Sequence, residues 1–207
     1  MKKSFIDYEL YIIDLDDTII SEFDYLKSGY SDIADHIHER YGYPQEKIFN
    51  FIIETFKKFG RNKLFDKVIA KFNLNENEID LMLKILRSTK PKELINLSVK
   101  GNRILDYLHK NKKRHILLTN GNVAQQKNKI KHIRWLHNTP EVIFANEIEA
   151  KPSIKSYLHY CKLNNTFIEP QNTLMIGDSI VDRIFSQNLK CDFLYINDED
   201  NLFLPNS

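Results

Sequence analysis

Leu10-Tyr11-Ile12-Ile13-Asp14-Leu15-Asp16-Asp17-Thr18 is the stretch on which the reading of the whole chain turns. Four apolar residues halt abruptly at a group of carboxylates. That is the pattern of a short buried strand whose carboxyl end carries acids.

The chain then changes character. Leu26, Tyr30, Ile33, Ala34, Ile37 and Tyr41 recur at helical spacing and predict one long amphipathic helix, punctuated by Gly42 and Pro44. Ile48, Phe49, Ile52, Ile53, Phe56 and Phe59 predict a second, with Gly60 just past its end. Leu64, Phe65, Val68, Ile69 and Phe72 predict a third. Asn75, with Glu78 three residues on, reads as a capping box opening a fourth helix that carries Ile79, Met82, Leu83 and Leu86. Residues 21–94 are thus expected to be all-helical.

After Pro91 strands and helices alternate. Strands are predicted at 115–119, 142–144, 173–176 and 193–196, each preceded by an amphipathic helical stretch. Strict alternation predicts an α/β fold: a doubly wound parallel sheet with right-handed connections and helices on both faces. The expected organisation is a split core, residues 1–20 and 95–207, with the helical segment 21–94 inserted after the first strand.

Composition narrows the functional classes. The 207 residues are 42% hydrophobic and 28% charged, with a formal net charge of +2, an ordinary globular balance. No bulk field favours nucleic acid or an anionic membrane, so any anion recognition has to be local. The lysine-rich stretches Lys110–Arg114 and Lys127–Arg134 lie on helices with apolar opposite faces and are read as solvated faces. Cys161 and Cys191 form neither a metal-ligand spacing nor a disulfide framework and are read as reduced thiols. Asp7 and Glu9 interrupt what would be a signal core, and no apolar run approaches a membrane span, so a soluble cytoplasmic protein is expected.

In open parallel sheets ligands bind beyond the carboxyl ends of the strands. Here those ends carry Asp14 and Asp16, then Thr119-Asn120-Gly121, then Glu147, Glu149 and Lys151, and finally Gly177-Asp178 with Asp182 four residues on. Converging carboxylates repel one another and resist desolvation. A divalent cation resolves that conflict, and an all-oxygen ligand set favours magnesium over zinc.

These residues resemble the motifs of the haloacid dehalogenase-like superfamily. Asp14-Leu15-Asp16-Asp17-Thr18 is similar to motif I, Thr119 to motif II, Lys151-Pro152 to motif III, and Gly177-Asp178-Ser179-Ile180-Val181-Asp182 to motif IV. A lone Asp-x-Asp or Lys-Pro is common; all four in order, each at a predicted strand end, are specific. The resemblance implies a Rossmann-like core, a helical cap in the 21–94 insertion, and a phosphohydrolase activity with Mg2+. Asp14 would be the nucleophile, and an aspartate's ordinary pKa of about 3.9 would leave it ionised. Asp16 would be the general acid and would lend its backbone carbonyl to the metal. Superfamily dehalogenases lack an acid at this place, so Asp16 favours phosphoryl chemistry. Asp17 would point away as a structural residue. Thr119 and Asn120 would hold phosphoryl oxygens, Lys151 would neutralise nucleophile and phosphate, Asp178 would bind metal beside Asp14, and Asp182 would support Asp178 or Lys151. Glu147 and Glu149 match no motif position and are read as surface acids.

A helical cap suits a small phosphate ester such as a sugar phosphate or nucleoside monophosphate, with Lys27, Tyr30, Arg61, Asn62 and Lys63 as candidate substrate contacts. Nucleic acid and membrane are not expected partners. Two alternatives stay open: a phosphomutase on the same scaffold, and a non-catalytic binding protein with this fold.

Overall fold

The computed structural model describes residues 4–197. Its one sheet holds five parallel strands: β1 Leu10–Ile13, β2 Arg114–Thr119, β3 Glu141–Phe144, β4 Thr173–Gly177 and β5 Asp192–Tyr195, in the spatial order β3-β2-β1-β4-β5. The chain runs outward from β1 through β2 to β3, then crosses back to place β4 on the other side of β1. That reversal opens a crevice at the carboxyl ends of β1 and β4, the place where doubly wound sheets bind ligands. Register brings the strand ends level. Ile13 pairs with Leu117 on one side and Ile176 on the other, and the Asp14 N–H continues the ladder onto the Ile176 carbonyl at 2.9 Å.

All four residues of β1 are 0% exposed, as a central strand covered on both faces requires. Leu10 and Ile12 join Ile116, Leu118 and Met175 on one face, covered by Tyr157 and Tyr160 of α7 (Lys155–Leu163) and Phe185 and Leu189 of α8 (Ile180–Leu189). Each such side chain removed from water contributes about 1.5–3 kcal/mol, which makes the sheet a stiff platform for whatever projects from its end.

The chain divides into two compact units. One holds the sheet and takes the described residues up to Glu22, Asn96–Gln126, and those from Ile133 onward; the other is helical and takes Phe23–Ile95 with Lys127–His132. The helical unit contains α1 (Glu22–Tyr41), α2 (Gln45–Phe59), α3 (Leu64–Phe72) and α4 (Glu78–Ser88), close to the predicted positions. Helix α5 (Val99–Lys110) belongs to the sheet unit, and α6 (Val123–Lys131) is shared by the two. The sequence-based division placed residues 127–132 with the core. They group with the helices because the Ile95 N–H bonds the His132 carbonyl at 2.7 Å and Asn128 Nδ2 bonds the Arg87 carbonyl at 3.3 Å.

Three readings inside the helical unit are corrected by its packing. Lys129 does not lie on a solvated face: it is 1% exposed, with its ammonium 5.4 Å from the centre of the Tyr25 ring, a cation–π contact that a long apolar stem can reach. Tyr30 is core rather than a substrate contact, buried and 5.7 Å from the Phe56 ring. Glu78 does not close a capping box. It is buried and turned inward, accepting from Tyr41 Oη at 2.9 Å and bonding His36 Nε2 at 2.8 Å, while Arg40 Nε lies at 3.0 Å. Asn75 instead accepts from the Asn77 N–H through its side chain.

Burial works to raise the Glu78 carboxyl pKa, but the bonds from His36 and Tyr41 and the charge of Arg40 outweigh it and hold the group below its ordinary range. A depressed carboxylate stabilises the fold above its unfolded pKa of about 4.3, and that contribution is lost as pH falls through the lower folded value. Glu78→Gln is therefore expected to cost about 1–3 kcal/mol near neutral pH, with the gap to wild type closing as the pH falls below the ordinary glutamate range. Urea unfolding of both proteins across that range measures it.

Candidate active site

The carboxyl ends of β1, β2 and β4 and the loop beyond β3 meet in a cavity of about 260 Å³. Its lining includes Asp14, Asp16, Thr119, Asn120, Lys151, Asp178 and Asp182. At its centre lies Lys151, 5% exposed, whose ammonium donates to Asp14 Oδ1 and to Asp182 Oδ1, each at 2.5 Å. Burial alone would lower the lysine's pKa; the two carboxylates outweigh it and hold the group above its ordinary value. It stays a cation.

Asp14 does not sit at the ordinary carboxylate pKa that its sequence context suggests. Burial pushes it up to about 7 against the pull of Lys151, and the nearby charge of Asp182 adds to the rise. Asp178 is raised too, by burial first and then by the charges of Asp182 and Asp17. Asp14, Asp178 and Asp182 each bring a carboxylate oxygen within 4.8 Å of the others. Three carboxylates face one ammonium, so the fully ionised cluster carries an excess of two negative charges. A divalent cation with oxygen ligands fits that excess. The partners divide the labour. Asp182 is committed through both oxygens, Oδ1 to Lys151 and Oδ2 to the Ser179 hydroxyl at 2.6 Å, whereas the half-buried Asp178 takes a long bond from Thr18 Oγ1 at 3.4 Å. Asp14 and Asp178 are the better cation ligands, and Asp182 the better support for Lys151.

Local sequence explains how these groups are held. Ser179 N-caps α8 and forms a capping box with Asp182: the Ser179 hydroxyl accepts from the Asp182 N–H, and Asp182 Oδ2 accepts from the Ser179 N–H at 3.2 Å. Gly177 at the end of β4 leaves room for that carboxylate, because a Cβ there would lie 2.7 Å from Asp182 Cβ. Asp17, with a left-handed φ of 53°, turns out of the strand direction and accepts from the Glu22 N–H at 3.0 Å, opening α1. Asn120 clasps the backbone of Lys151 from both sides, donating through Nδ2 to its carbonyl at 3.0 Å and accepting its N–H through Oδ1 at 2.8 Å.

Residues 11–196 match the haloacid dehalogenase-like hydrolase family. The chain belongs to that family. Solved structures repeat its fold along nearly the whole length. A haloacid dehalogenase-superfamily hydrolase of subfamily IA from Geobacter sulfurreducens is 15% identical with a TM-score of 0.62, over 94% of this chain and 90% of that one. A Bacillus subtilis protein assigned to the same superfamily and bound to magnesium is 15% identical with a TM-score of 0.58, over 91% and 88%. A Lactobacillus plantarum protein assigned as a phosphoglycolate phosphatase is 17% identical with a TM-score of 0.52, over 91% and 86%. No curated protein matches the chain in sequence.

Within this haloacid dehalogenase-like core the structure brings together Asp14, Asp16, Thr119, Asn120, Lys151, Asp178 and Asp182. Arg61, Asn62 and Lys63 are exposed in the turn between α2 and α3 of the helical unit, and Lys27 is exposed on α1. Glu147 and Glu149 are exposed. Two contributors escaped the sequence reading. Asn146 accepts the Gly121 N–H at 2.8 Å and pins the turn after β2. Gln126, 3% exposed on α6, donates through Nε2 to Asp16 Oδ2 at 2.8 Å. Neither belongs to a motif; a polar residue on a helix that otherwise reads as solvated was the one available sign.

Gly177→Ala is expected to drive Asp182 off Lys151 and to destabilise the sheet unit by about 1–3 kcal/mol, the usual cost of overpacking. Chemical unfolding of the variant against wild type tests this without reference to any activity.

Proposed function

We propose that the chain is a magnesium-dependent phosphatase that hydrolyses a small phosphomonoester, such as a sugar phosphate or nucleoside monophosphate, through an aspartyl phosphate on Asp14. The observation that carries the reading is the buried Asp14 carboxylate at the end of the central strand, with Lys151 on one of its oxygens and Asp16 lining the same cavity.

In this reading Asp14 attacks phosphorus, the bond from phosphorus to the ester oxygen breaks, and Asp16 delivers its proton to the leaving oxygen. Water then attacks the phosphorus of the aspartyl phosphate, Asp16 takes a proton from that water, and the Asp14 carboxylate departs as inorganic phosphate is released. Lys151 supplies a fixed positive charge beside the transferring group, where a low-dielectric site makes it most effective. Thr119 and the Asn120 N–H stand at the end of β2, ahead of α6, whose N-terminal field favours an anion. A magnesium ion held by Asp14, Asp178 and the Asp16 carbonyl would screen the charge between carboxylate and phosphate. The helical unit is read as the cap that selects the leaving group, with Arg61 and Lys63 as candidate contacts.

The acid at Asp16 favours ester hydrolysis over halide displacement, because an alkoxide leaves far more readily as its conjugate acid. No helix among the described residues is long and apolar enough to cross a membrane.

Purified protein is expected to hydrolyse p-nitrophenyl phosphate with magnesium and to stop when EDTA is added. Asp14→Asn, nearly isosteric, is expected to lower kcat at least about 10³-fold while retaining the wild-type urea midpoint. Wild type that turns over neither this compound nor any member of a broad phosphate-ester panel with magnesium would leave the non-catalytic binding reading in its place.

A further inference from the structure

We infer that Gln126 is a positioning residue for Asp16: its carboxamide fixes the carboxylate of the general acid. The inference rests on the phosphatase reading above and concerns a side chain outside the four motifs.

Gln126 lies at the fourth position of α6 and is 3% exposed. Its Nε2 has three oxygens within reach: Asp16 Oδ2 at 2.8 Å, Thr119 Oγ1 at 2.6 Å and the Asn120 carbonyl at 2.8 Å. The carbonyl can only accept, so the amide orientation is determined: nitrogen faces Asp16 and oxygen faces away. The other end confirms the arrangement as one imposed by the site. Gln126 Oε1 is buried and has no hydrogen-bond partner among the described residues, an arrangement that costs free energy. The side chain is thus held for what its nitrogen does.

What it does follows from geometry. Asp16 lies beyond the end of β1, where its backbone bridges to Ile20 and its side chain is half-buried. A proton donor to a leaving oxygen has to be held within hydrogen-bond reach of it. The Gln126 N–H bonds Oδ2 and so fixes the direction in which the Asp16 carboxyl faces.

The test exploits leaving groups. Protonation matters little for 2,4-dinitrophenyl phosphate, whose phenolate departs unaided, and matters greatly for phenyl phosphate. The ratio kcat/KM reports only the steps through phosphoryl transfer to Asp14. Gln126→Met, close in shape and free of the orphaned oxygen, is expected to lower kcat/KM for phenyl phosphate roughly 10- to 100-fold and to leave that for 2,4-dinitrophenyl phosphate within about 2-fold of wild type. Its kcat on the dinitrophenyl ester should still fall, because Asp16 also accepts the proton of the attacking water. Asp16→Asn should show the same pattern more strongly, and adding Gln126→Met to it should bring no further loss. Gln126→Asn, whose amide is one methylene short of Asp16, should behave like Gln126→Met, and the variant with the wild-type urea midpoint is the one read. Equal losses on both esters would overturn the inference and make Gln126 a structural part of the phosphate site. Wild type inactive on the whole aryl series would instead sink the phosphatase reading itself.

Discussion

A single buried ammonium organises this molecule. Lys151 sits in the sheet unit almost out of contact with water, and an ammonium removed from water costs several kcal/mol unless it is matched by opposite charge at close range. Asp14 and Asp182 supply that match from the ends of β1 and the first turn of α8. Each is itself secured, Asp14 by the ladder bond to Ile176 and Asp182 by its capping box with Ser179. Asn120 completes the frame by holding the Lys151 backbone against the end of β2. Four separate crossings of the sheet are thereby tied to one charge.

That arrangement leaves an imbalance with a chemical meaning. Lys151 neutralises one carboxylate of three, and burial raises the pKa of Asp14 and of Asp178 for want of more positive charge. A cluster of this kind is costly as a structural device, since well-packed apolar residues would serve better. Under the proposed function a cation would offset that excess before an anionic substrate arrives. The chain belongs to the haloacid dehalogenase-like hydrolases.

The two units differ in how far local pattern foretold them. Helices α1 to α4 follow apolar periodicity so closely that their existence needed no tertiary information. Glu78 and Lys129 were misread for one shared reason. Each is a polar or amphipathic residue whose partner is distant in the chain: Glu78 finds His36 and Tyr41, and Lys129 finds Tyr25. Spacing rules assume that polar groups face water, and they fail wherever a partner elsewhere compensates the burial.

The amino-acid sequence by itself determined the class of fold, the five strands, the helical insertion and the acids and lysine at the strand ends, because each is written in residues close together along the chain. Tertiary structure alone decided how those groups are used: that Asp182 is bound to Lys151 through one oxygen, that Asn120 serves through its side chain, and that Gln126 grips Asp16 across 110 residues. Hydrogen bonds and charge pairs act over about 3 Å, so they exist only once the strand order has brought distant segments together. No periodicity encodes that meeting.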